Sequence, residues 1–398
     1  MKPKQMYSIV NLVNKQMWGK EAVQVTDLAG LISLGQSLSL DENDSDAYLG
    51  ALVDRIGKTR VRTLDLVLQF PELFRDSFTF GAILQKVSVN PYDAIQNSDY
   101  NVGNDNFTPT LLDAPRKPSI NVTYFKGAQT WAYRVEVPND LFFSAFTNEG
   151  AMVNFLDAIL KALTDSMTMA INNMSRTCIN NLIAEKIKAG NGVVNLLTLY
   201  NATIPEADAI TAAESITNKD FLRFAGMTMR NYIKYLEMPT SMYNTAGYVR
   251  ATRRDNLNAY FLTDFVSAFE TYYNSEVFHN EIVKLPGFRE VTCWQGSNSI
   301  ASGTTLKDAP DFETNSTINV IPSSEESKAA AERVAINQSG ILAAYIDREA
   351  VAVGLDKRRT GKFYNPMDDI TSTKTSALIQ YINDTTENAV IFITADSE

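Results

Sequence analysis

Histidine and cysteine are nearly absent from this chain of 398 residues. His279 is the only histidine, and Cys178 and Cys293 are the only cysteines. A single histidine excludes most Ser–His and Cys–His pairs of nucleophilic catalysis and every metal site built from several histidines. Two cysteines exclude a disulfide framework, and Cys178 falls on the apolar side of a predicted helix, which indicates a buried free thiol. We therefore predict no catalytic, cofactor-binding or metal-binding residues.

Phosphate-binding and calcium-binding loops are also missing. The run 57–59 reads Gly-Lys-Thr, as at the end of a P-loop, but the position that needs the first glycine is Leu52. The acidic run 41–46 imitates a calcium loop, but Asp46 stands where glycine is required and Leu52 stands where glutamate is required. A solvated acidic turn is the simpler interpretation of 41–46.

Long apolar runs and an excess of positive charge are lacking as well. No stretch of about 18 apolar residues occurs, and the N-terminus has no apolar segment, so we expect neither a membrane span nor a signal peptide. The 36 Lys and Arg residues are outnumbered by 46 Asp and Glu residues, which gives a net charge of −10. This balance argues against a protein that works by neutralising phosphates. We expect the chain to fold in a cytoplasm without a membrane partner.

A long amphipathic helix is the strongest positive signal in the sequence. Over 149–189, apolar residues recur at steps of three and four, which places them on one helical face. Glu149 suits the positive end of the helix dipole, and Gly190 and Gly192 end the helix. About 40 residues make a rod of roughly 60 Å. The opposite face carries amides and hydroxyls, such as Asn180, and is predicted to lie against other protein. The helix is either the backbone of an ordinary domain or a spine that carries separate subdomains.

The region before this helix reads as an extended hairpin. Strands are predicted over 83–89, 120–124 and 130–137 from their alternating, β-branched residues. Between the first two strands, 90–119 is rich in Asn, Asp, Pro and Gly, and so long a connection is uncommon inside a compact domain. The connection also carries aromatic and leucine side chains that a solvated linker does not need. We therefore expect a partner to hold it.

The rest of the chain alternates between helices and strands. Helices are predicted over 216–237, with Asn218 as its cap, over 261–273, and over 323–337, which opens with a capping-box pattern. Strands are predicted over 248–253, 290–294, 341–346, 350–353, 376–382 and 389–394, the last two as a hairpin around 384–388. The basic cluster at 357–359 and 362 is interpreted as a solvated or subunit-contacting loop, because the chain as a whole is acidic.

Four stretches carry a resemblance to a known family: the entry to the long helix at 131–146, and the closing runs 344–349, 363–366 and 390–394. With the order of elements, they resemble the HK97-type fold of tailed-phage major capsid proteins, in particular the small phi29-like podophage group. The fold class that this implies is α+β, an HK97-like capsid fold with an N-terminal arm, an extended β-hairpin loop, a long spine helix, a peripheral domain and an axial domain.

The resemblance implies a domain role for each part of the chain. The ranges are 1–79 for the N-terminal arm and helices, 80–138 for the extended loop, 139–194 for the spine-helix region of the peripheral domain, 195–340 for mainly the axial domain, and 341–398 for the peripheral-domain strands.

Assembly contacts are predicted in the extended loop, which in this family reaches over a neighbouring subunit. The candidate residues are Tyr92, Tyr100, Phe107, Arg116, Lys117 and Lys126. Some relatives cross-link a lysine of this loop to a neighbour, and Lys86, Lys117 and Lys126 lie in the corresponding region, but the sequence identifies no cross-linking partner.

The function implied by the resemblance is that of a major capsid protein. Such a protein self-assembles into the icosahedral or elongated head that encloses packaged double-stranded DNA. Expected partners are copies of the chain in hexamers and pentamers, a portal, a scaffolding protein where one is needed, and DNA bound without sequence specificity. The expected location is the virion capsid, after assembly in the host bacterial cytoplasm.

Two other functions compete with this one. An encapsulin-like compartment shell would share the fold and enclose cargo protein instead of DNA. A soluble hydrolase that acts through two carboxylates belongs to a different class, and the plentiful carboxylates leave it open although their spacing does not support it. The hydrolase predicts a monomer or small oligomer in which 90–118 is disordered or forms an active-site lid.

Overall fold

The computed structural model describes residues 3–19, 24–39, 47–48, 51–52, 69–75, 84–89, 120–125, 128–138, 143, 145–146, 149–274, 288–295, 301–302, 315–325, 328–329, 332–365 and 370–395. Within these residues the helices are α1 (Pro3–Trp18), α2 (Leu28–Ser39), α3 (Glu149–Ala189), α4 (Leu196–Asn201), α5 (Ala212–Ser215), α6 (Lys219–Glu237) and α7 (Thr263–Asn274). The strands are β1 (Phe74–Arg75), β2 (Leu84–Val89), β3 (Ile120–Phe125), β4 (Ala128–Pro138), β5 (Val193–Asn195), β6 (Leu257–Leu262), β7 (Arg289–Val291), β8 (Ala301–Ser302), β9 (Ile318–Ile321), β10 (Ile336–Gln338), β11 (Ile341–Asp347), β12 (Val351–Asn365), β13 (Ile370–Asn383) and β14 (Ala389–Ile393).

The chain divides into two compact units. The first unit comprises 1–79, 128–175 and 353–380, and the second comprises 80–127, 176–352 and 381–398.

The first unit combines a helical core with a four-stranded sheet. On α1, Met6, Val10 and Val13 recur at helical spacing and are fully buried, so the helix packs through one apolar face. They share a core with α2 and with the start of α3, where Met152 is also fully buried. The sheet has the order β1-β12-β13-β4, and β4 runs antiparallel to β13 along its whole length.

The second unit is built on a five-stranded sheet with the order β5-β14-β11-β6-β7. Its central strand β11 runs antiparallel to both β14 and β6. Helix α6 packs on it, since the ring of Tyr232 meets Phe392 of β14 edge-on with 5.5 Å between centroids. Asn218 caps α6 through a 3.0 Å bond from the Phe221 amide, as the sequence predicts. A smaller sheet, β10-β9-β8, and the two-stranded hairpin β2–β3 complete this unit.

The long helix α3 has the predicted bounds, and its amide face is occupied as predicted. Asn180 is buried and donates a 2.8 Å hydrogen bond to the Trp294 carbonyl. Asn181 donates to the Ser323 hydroxyl and accepts from the Ser323 amide. The buried cysteine expected on the apolar face is confirmed at Cys178, whose thiol pKa is raised by burial to about 12.

Several of the elements predicted from the sequence are wrong, because segments distant in sequence pair with one another. Strands β13 and β14 flank the turn 384–388, but they lie in different sheets and do not form the predicted hairpin. The capping-box pattern at 323–326 opens only a 3-10 turn at Ser323–Glu325, and the predicted helix to 337 ends instead in strand β10. The basic run 357–359 belongs to β12 and is not a loop.

Strand pairing also divides two of the predicted domain ranges. Within 80–138, β2 pairs with β3, whereas β4 pairs with β13 in the first unit. The five-stranded sheet takes β6 and β7 from the range predicted as axial, and β11 and β14 from the range predicted as peripheral strands. The predicted strand at 248–253 is reduced to a single bridge between Thr240 and Arg250, and the strand β6 follows it at 257–262.

Candidate assembly site

The hairpin β2–β3 has two chemically different faces because its residues alternate in register. Val87 lies opposite Val122, and Val89 lies opposite Ile120. Successive side chains of a strand point to opposite faces, so these four side chains share one face of the hairpin. The other face carries Lys86, Ser88, Asn121 and Thr123, together with Phe125 at the end of β3.

The apolar face of the hairpin is the exposed one. Val87 and Val89 are each 57% exposed, Ile120 is 56% exposed, and Tyr124, on the same face, is 63% exposed. A sheet with one solvated face normally turns its apolar residues toward the core and its polar residues toward water. The hairpin has the reverse arrangement, so a continuous apolar strip faces away from the unit that carries it.

The polar face of the hairpin contacts its own unit through hydrogen bonds and ion pairs. The Lys86 ammonium lies 2.5 Å from a carboxylate oxygen of Asp384 and 2.5 Å from one of Glu387. Arg250 donates a 2.8 Å hydrogen bond to the Ser88 hydroxyl and pairs with Glu387 at 3.4 Å.

A second polar contact lies on the other strand of the hairpin. Asn121 of β3 donates to the Tyr248 hydroxyl. The Arg250 guanidinium in turn lies over the Tyr248 ring, 5.8 Å from its centroid, within cation–π range. Both strands of the hairpin are therefore attached to the segment around 248–250.

The carboxylates that receive the hairpin are held by a rigid turn between β13 and β14. Asp384 accepts two bonds from Thr386, one from its amide and one from its hydroxyl. The turn is also tied to distant backbone, since the Asp384 amide donates to Ala350 and the Thr245 amide donates to Thr385. The side chains of Asp384 and Glu387 are only 1% and 8% exposed, so the two negative charges are nearly desolvated.

Lys186 of helix α3 also holds this turn in place. Its side chain is fully buried in helix α3, and its ammonium donates to the carbonyls of Tyr243 at 2.8 Å and of Glu387 at 2.9 Å. Burial lowers the pKa of Lys186 to about 8, although the negative charges of Asp384 and Glu387 favour the ammonium.

Lys86 stands in a different electrostatic situation from Lys186. Its burial disfavours the charged form, but hydrogen bonds and charge attraction from Asp384 and Glu387 together raise the pKa of Lys86 above its usual value. Lys86 therefore stays protonated at neutral pH, and the cluster contains three cations, Lys86, Lys186 and Arg250, around two carboxylates.

The residues predicted as assembly contacts lie outside the described part of the chain. They are Tyr92, Tyr100, Phe107, Arg116, Lys117 and Lys126. The exposed apolar strip of the hairpin was not predicted, although the alternation of Leu-Gln-Lys-Val-Ser-Val at 84–89 was a sufficient signal for it. Nor were Arg250, Asp384 and Glu387, because no local pattern connects them to β2.

The part of the chain that the structure describes holds neither a metal-binding cluster nor a membrane-spanning helix. Among the described side chains, no group of three or more His, Cys, Asp or Glu is arranged to hold a metal ion. None of the described helices is long and apolar enough to cross a membrane.

Solved structures of phage heads are similar to this chain in fold. The capsid structure of Staphylococcus phage Andhra matches with a TM-score of 0.52 and 12% sequence identity, over 83% of this chain and 86% of that chain. A structure of the head fiber and inner core protein gp22 of native bacteriophage P68 matches with a TM-score of 0.53, 12% identity and the same coverage. A comparison with curated protein sequences gives no significant match.

The sequence model of the Phi29-like phage major capsid proteins matches residues 10–393. The α+β fold is accordingly an HK97-like capsid fold, as the sequence resemblance implies, and the family's members form the shell of a virion. Because the match spans nearly all of its 398 residues, the chain belongs to the Phi29-like phage major capsid protein family.

Proposed function

We propose that this chain assembles as hexamers and pentamers into a closed phage head around double-stranded DNA, and that the hairpin β2–β3 docks on a neighbouring copy. The observation that carries the proposal is the exposed apolar strip formed by Val87, Val89, Ile120 and Tyr124. An exposed apolar strip on a hairpin marks a protein interface, and in a self-assembling shell protein the occupant is a second copy of the chain.

The hairpin also needs support that it does not provide for itself. A two-stranded ribbon is marginally stable in water unless a face packs against something. Polar contacts support one face, so the apolar face gains its burial only when a neighbour covers it. Assembly therefore removes from water the apolar area that the isolated subunit exposes.

Domain roles follow from this arrangement and from the two compact units. The hairpin within 80–127 acts as the extended loop, and 1–79 acts as the N-terminal arm. The remainder of the first unit serves as the peripheral domain, and 176–352 with 381–398 serves as the axial domain around five-fold and six-fold axes. This assignment moves β11 and β14 from the peripheral to the axial domain, because they share a sheet with β6.

The partners and setting of the head complete the proposal. The role is structural and not enzymatic, and assembly takes place in the cytoplasm of the bacterial host with a portal and, where required, a scaffolding protein. The net charge of −10 supports contact with DNA that is weak and independent of sequence, because like charges repel.

Two matched substitutions test the docking role of the hairpin. Val87→Asp places a charge on the apolar strip, whereas Val334→Asp changes a valine of equal exposure, 57%, outside the hairpin. Burying an unpaired carboxylate in an interface costs several kcal/mol, so Val87→Asp is expected to leave folded subunits that form no shells, while Val334→Asp assembles. Sedimentation and negative-stain microscopy measure the outcome.

The same experiment distinguishes the alternatives. If Val87→Asp forms shells at the wild-type yield, the hairpin does not lie in the interface. A wild-type chain that stays monomeric with and without a scaffolding protein would remove the shell function itself, and particles filled with protein instead of DNA would indicate a compartment shell.

A further inference from the structure

We propose that Lys86 is a positioning residue for assembly: with Arg250 and the turn 384–388 it latches the hairpin β2–β3 to its own subunit, so that the apolar strip faces a neighbour before that neighbour arrives. This inference rests on the proposed docking of the hairpin. It adds a device that presets the hairpin within the free subunit.

The contacts of the polar face have the geometry of a latch. One ammonium, that of Lys86, bridges two carboxylates that are nearly inaccessible to water. Arg250 reaches the hairpin from a different segment, and the contact of Asn121 with Tyr248 holds the second strand. These contacts come from two strands of the hairpin and two segments of the receiving unit, so they fix its rotation as well as its position.

The receiving side is rigid, and Lys86, Ser88 and Asn121 of the hairpin reach it through polar contacts. Asp384 and Glu387 are presented by a turn whose backbone is bonded to Ala350, Thr245 and the Lys186 ammonium. Charged contacts of this kind contribute orientation more than net stability, because desolvation offsets much of the attraction. The polar contacts therefore set where the hairpin points.

Presetting the hairpin has a direct consequence for assembly. A mobile hairpin loses conformational freedom when it docks, and this loss weakens and slows each contact. A hairpin that is already held outward avoids that loss. The latch thus accelerates assembly without forming any contact with the neighbouring subunit.

Three substitutions test the latch. Lys86→Met removes the charge while keeping most of the side-chain volume, and Lys86→Arg restores a cation. Ser88→Ala removes only the bond from Arg250 and leaves every buried charge paired. Lys234→Met is the matched control, because Lys234 forms an exposed ion pair with Glu237 on α6.

Hydrogen exchange and assembly rate are the measurements. In the free subunit, Lys86→Met is expected to raise amide exchange in 84–89 and 120–125 roughly tenfold or more, and Ser88→Ala about fivefold. Initial assembly rates, followed by light scattering, fall in the same order, Lys86→Arg recovers most of the loss, and Lys234→Met behaves as the wild type. Thermal unfolding of the subunit changes little in Ser88→Ala, which separates the latch from general destabilisation.

The outcomes separate this inference from the proposed function. If Lys86→Met and Ser88→Ala assemble at the wild-type rate, or if hairpin exchange does not change, the latch is wrong while docking of the hairpin stands. If Val87→Asp assembles normally, the docking itself is wrong. The latch is also overturned if Lys86→Met assembles slowly, Lys86→Arg does not restore the assembly rate, and Ser88→Ala assembles at the wild-type rate.

Discussion

Two glycines after the long helix differ in what surrounds them, although both adopt positive φ. Gly190 has φ +69° and no atom within 4 Å of where a Cβ would stand. Gly192 has φ +76°, and a Cβ there would overlap the Ala389 carbonyl oxygen. Its own carbonyl accepts a 2.7 Å bond from the Ile391 amide, so β14 closely approaches the chain at this residue.

We predict that alanine at these two positions gives very different losses of stability. Gly190→Ala costs about 1 kcal/mol, the usual penalty of a left-handed residue with a side chain. Gly192→Ala adds displacement of β14 and is expected to cost at least about 3 kcal/mol. Urea unfolding of the free subunit measures both, and each variant is the control of the other. Equal losses would show that β14 shifts freely at Ala389.

Lys186 provides a prediction of how stability depends on pH. Burial lowers its pKa to about 8, against an ordinary value of 10.5. Between these values the unfolded chain binds more protons than the folded chain, so raising the pH favours folding there, and below pH 8 this contribution does not vary. The neutral amine keeps two N–H groups for the carbonyls of Tyr243 and Glu387.

The expected result is a widening gap between the wild type and Lys186→Met. From pH 8 to pH 10, the wild type gains about 1 kcal/mol per pH unit relative to the variant. Urea unfolding at pH 7, 8, 9 and 10 measures the gap. Lys234→Met is the control, because that side chain is 71% exposed. Parallel curves for the wild type and Lys186→Met would show that Lys186 stays charged throughout this range.

At the scale of residues, the features that depend on nearby residues were predictable from the sequence. Asn218 caps α6 through the amide three residues ahead, and Gly190 follows the last residue of α3, so both signals lie within one turn. Lys186 looks like a favourable solvent-exposed cation in the last turn of α3. Its burial depends on carbonyls 57 and 201 residues away, which no local pattern reveals.

Helices were predictable as elements because their boundaries and apolar faces are encoded nearby, whereas strand partners were not. The predicted hairpin around 384–388 fails because β13 finds β4, and β14 finds β11 and β5, all distant in sequence. The alternation of apolar and polar residues identifies a strand and its buried face, but it does not specify which strand pairs with it. At the turn 384–388 the chain therefore leaves the four-stranded sheet and enters the five-stranded sheet. This course brings Asp384 and Glu387 to the hairpin β2–β3.

The failed helix at 323–337 shows how tertiary contacts override a local signal. Ser323 carries the predicted cap, but its amide donates to Asn181 and its hydroxyl contacts Glu185 of α3. Glu325 pairs with Lys188 of α3 and with Lys328. Ser323 and Glu325 therefore bond to side chains of α3 instead of starting a new helix, and the chain continues into β10. A capping-box serine starts a helix only when its side chain is free to cap it.

At the scale of the whole molecule, the proposed docking of the hairpin would make the subunit directional. Under that proposal each copy donates a hairpin to one neighbour and receives a hairpin from another, which is a heterologous contact that can close into a ring. A subunit with a damaged strip keeps the surface that receives a neighbour's hairpin. Such a subunit can join a growing ring at one side and stop it at the other.

We predict that Val87→Asp subunits poison assembly of the wild type. In an equal, random mixture only about 2 in 100 rings of six contain wild-type subunits alone, so shell yield should fall far below half. Sedimentation of mixtures at constant total concentration measures the yield against the variant fraction. Val334→Asp, with equal exposure outside the hairpin, is the control and should leave the yield unchanged. A yield that falls only in proportion to the wild-type fraction would mean that damaged subunits are never received. The hairpin contact would then require an intact strip on both partners, and the directional ring would be wrong.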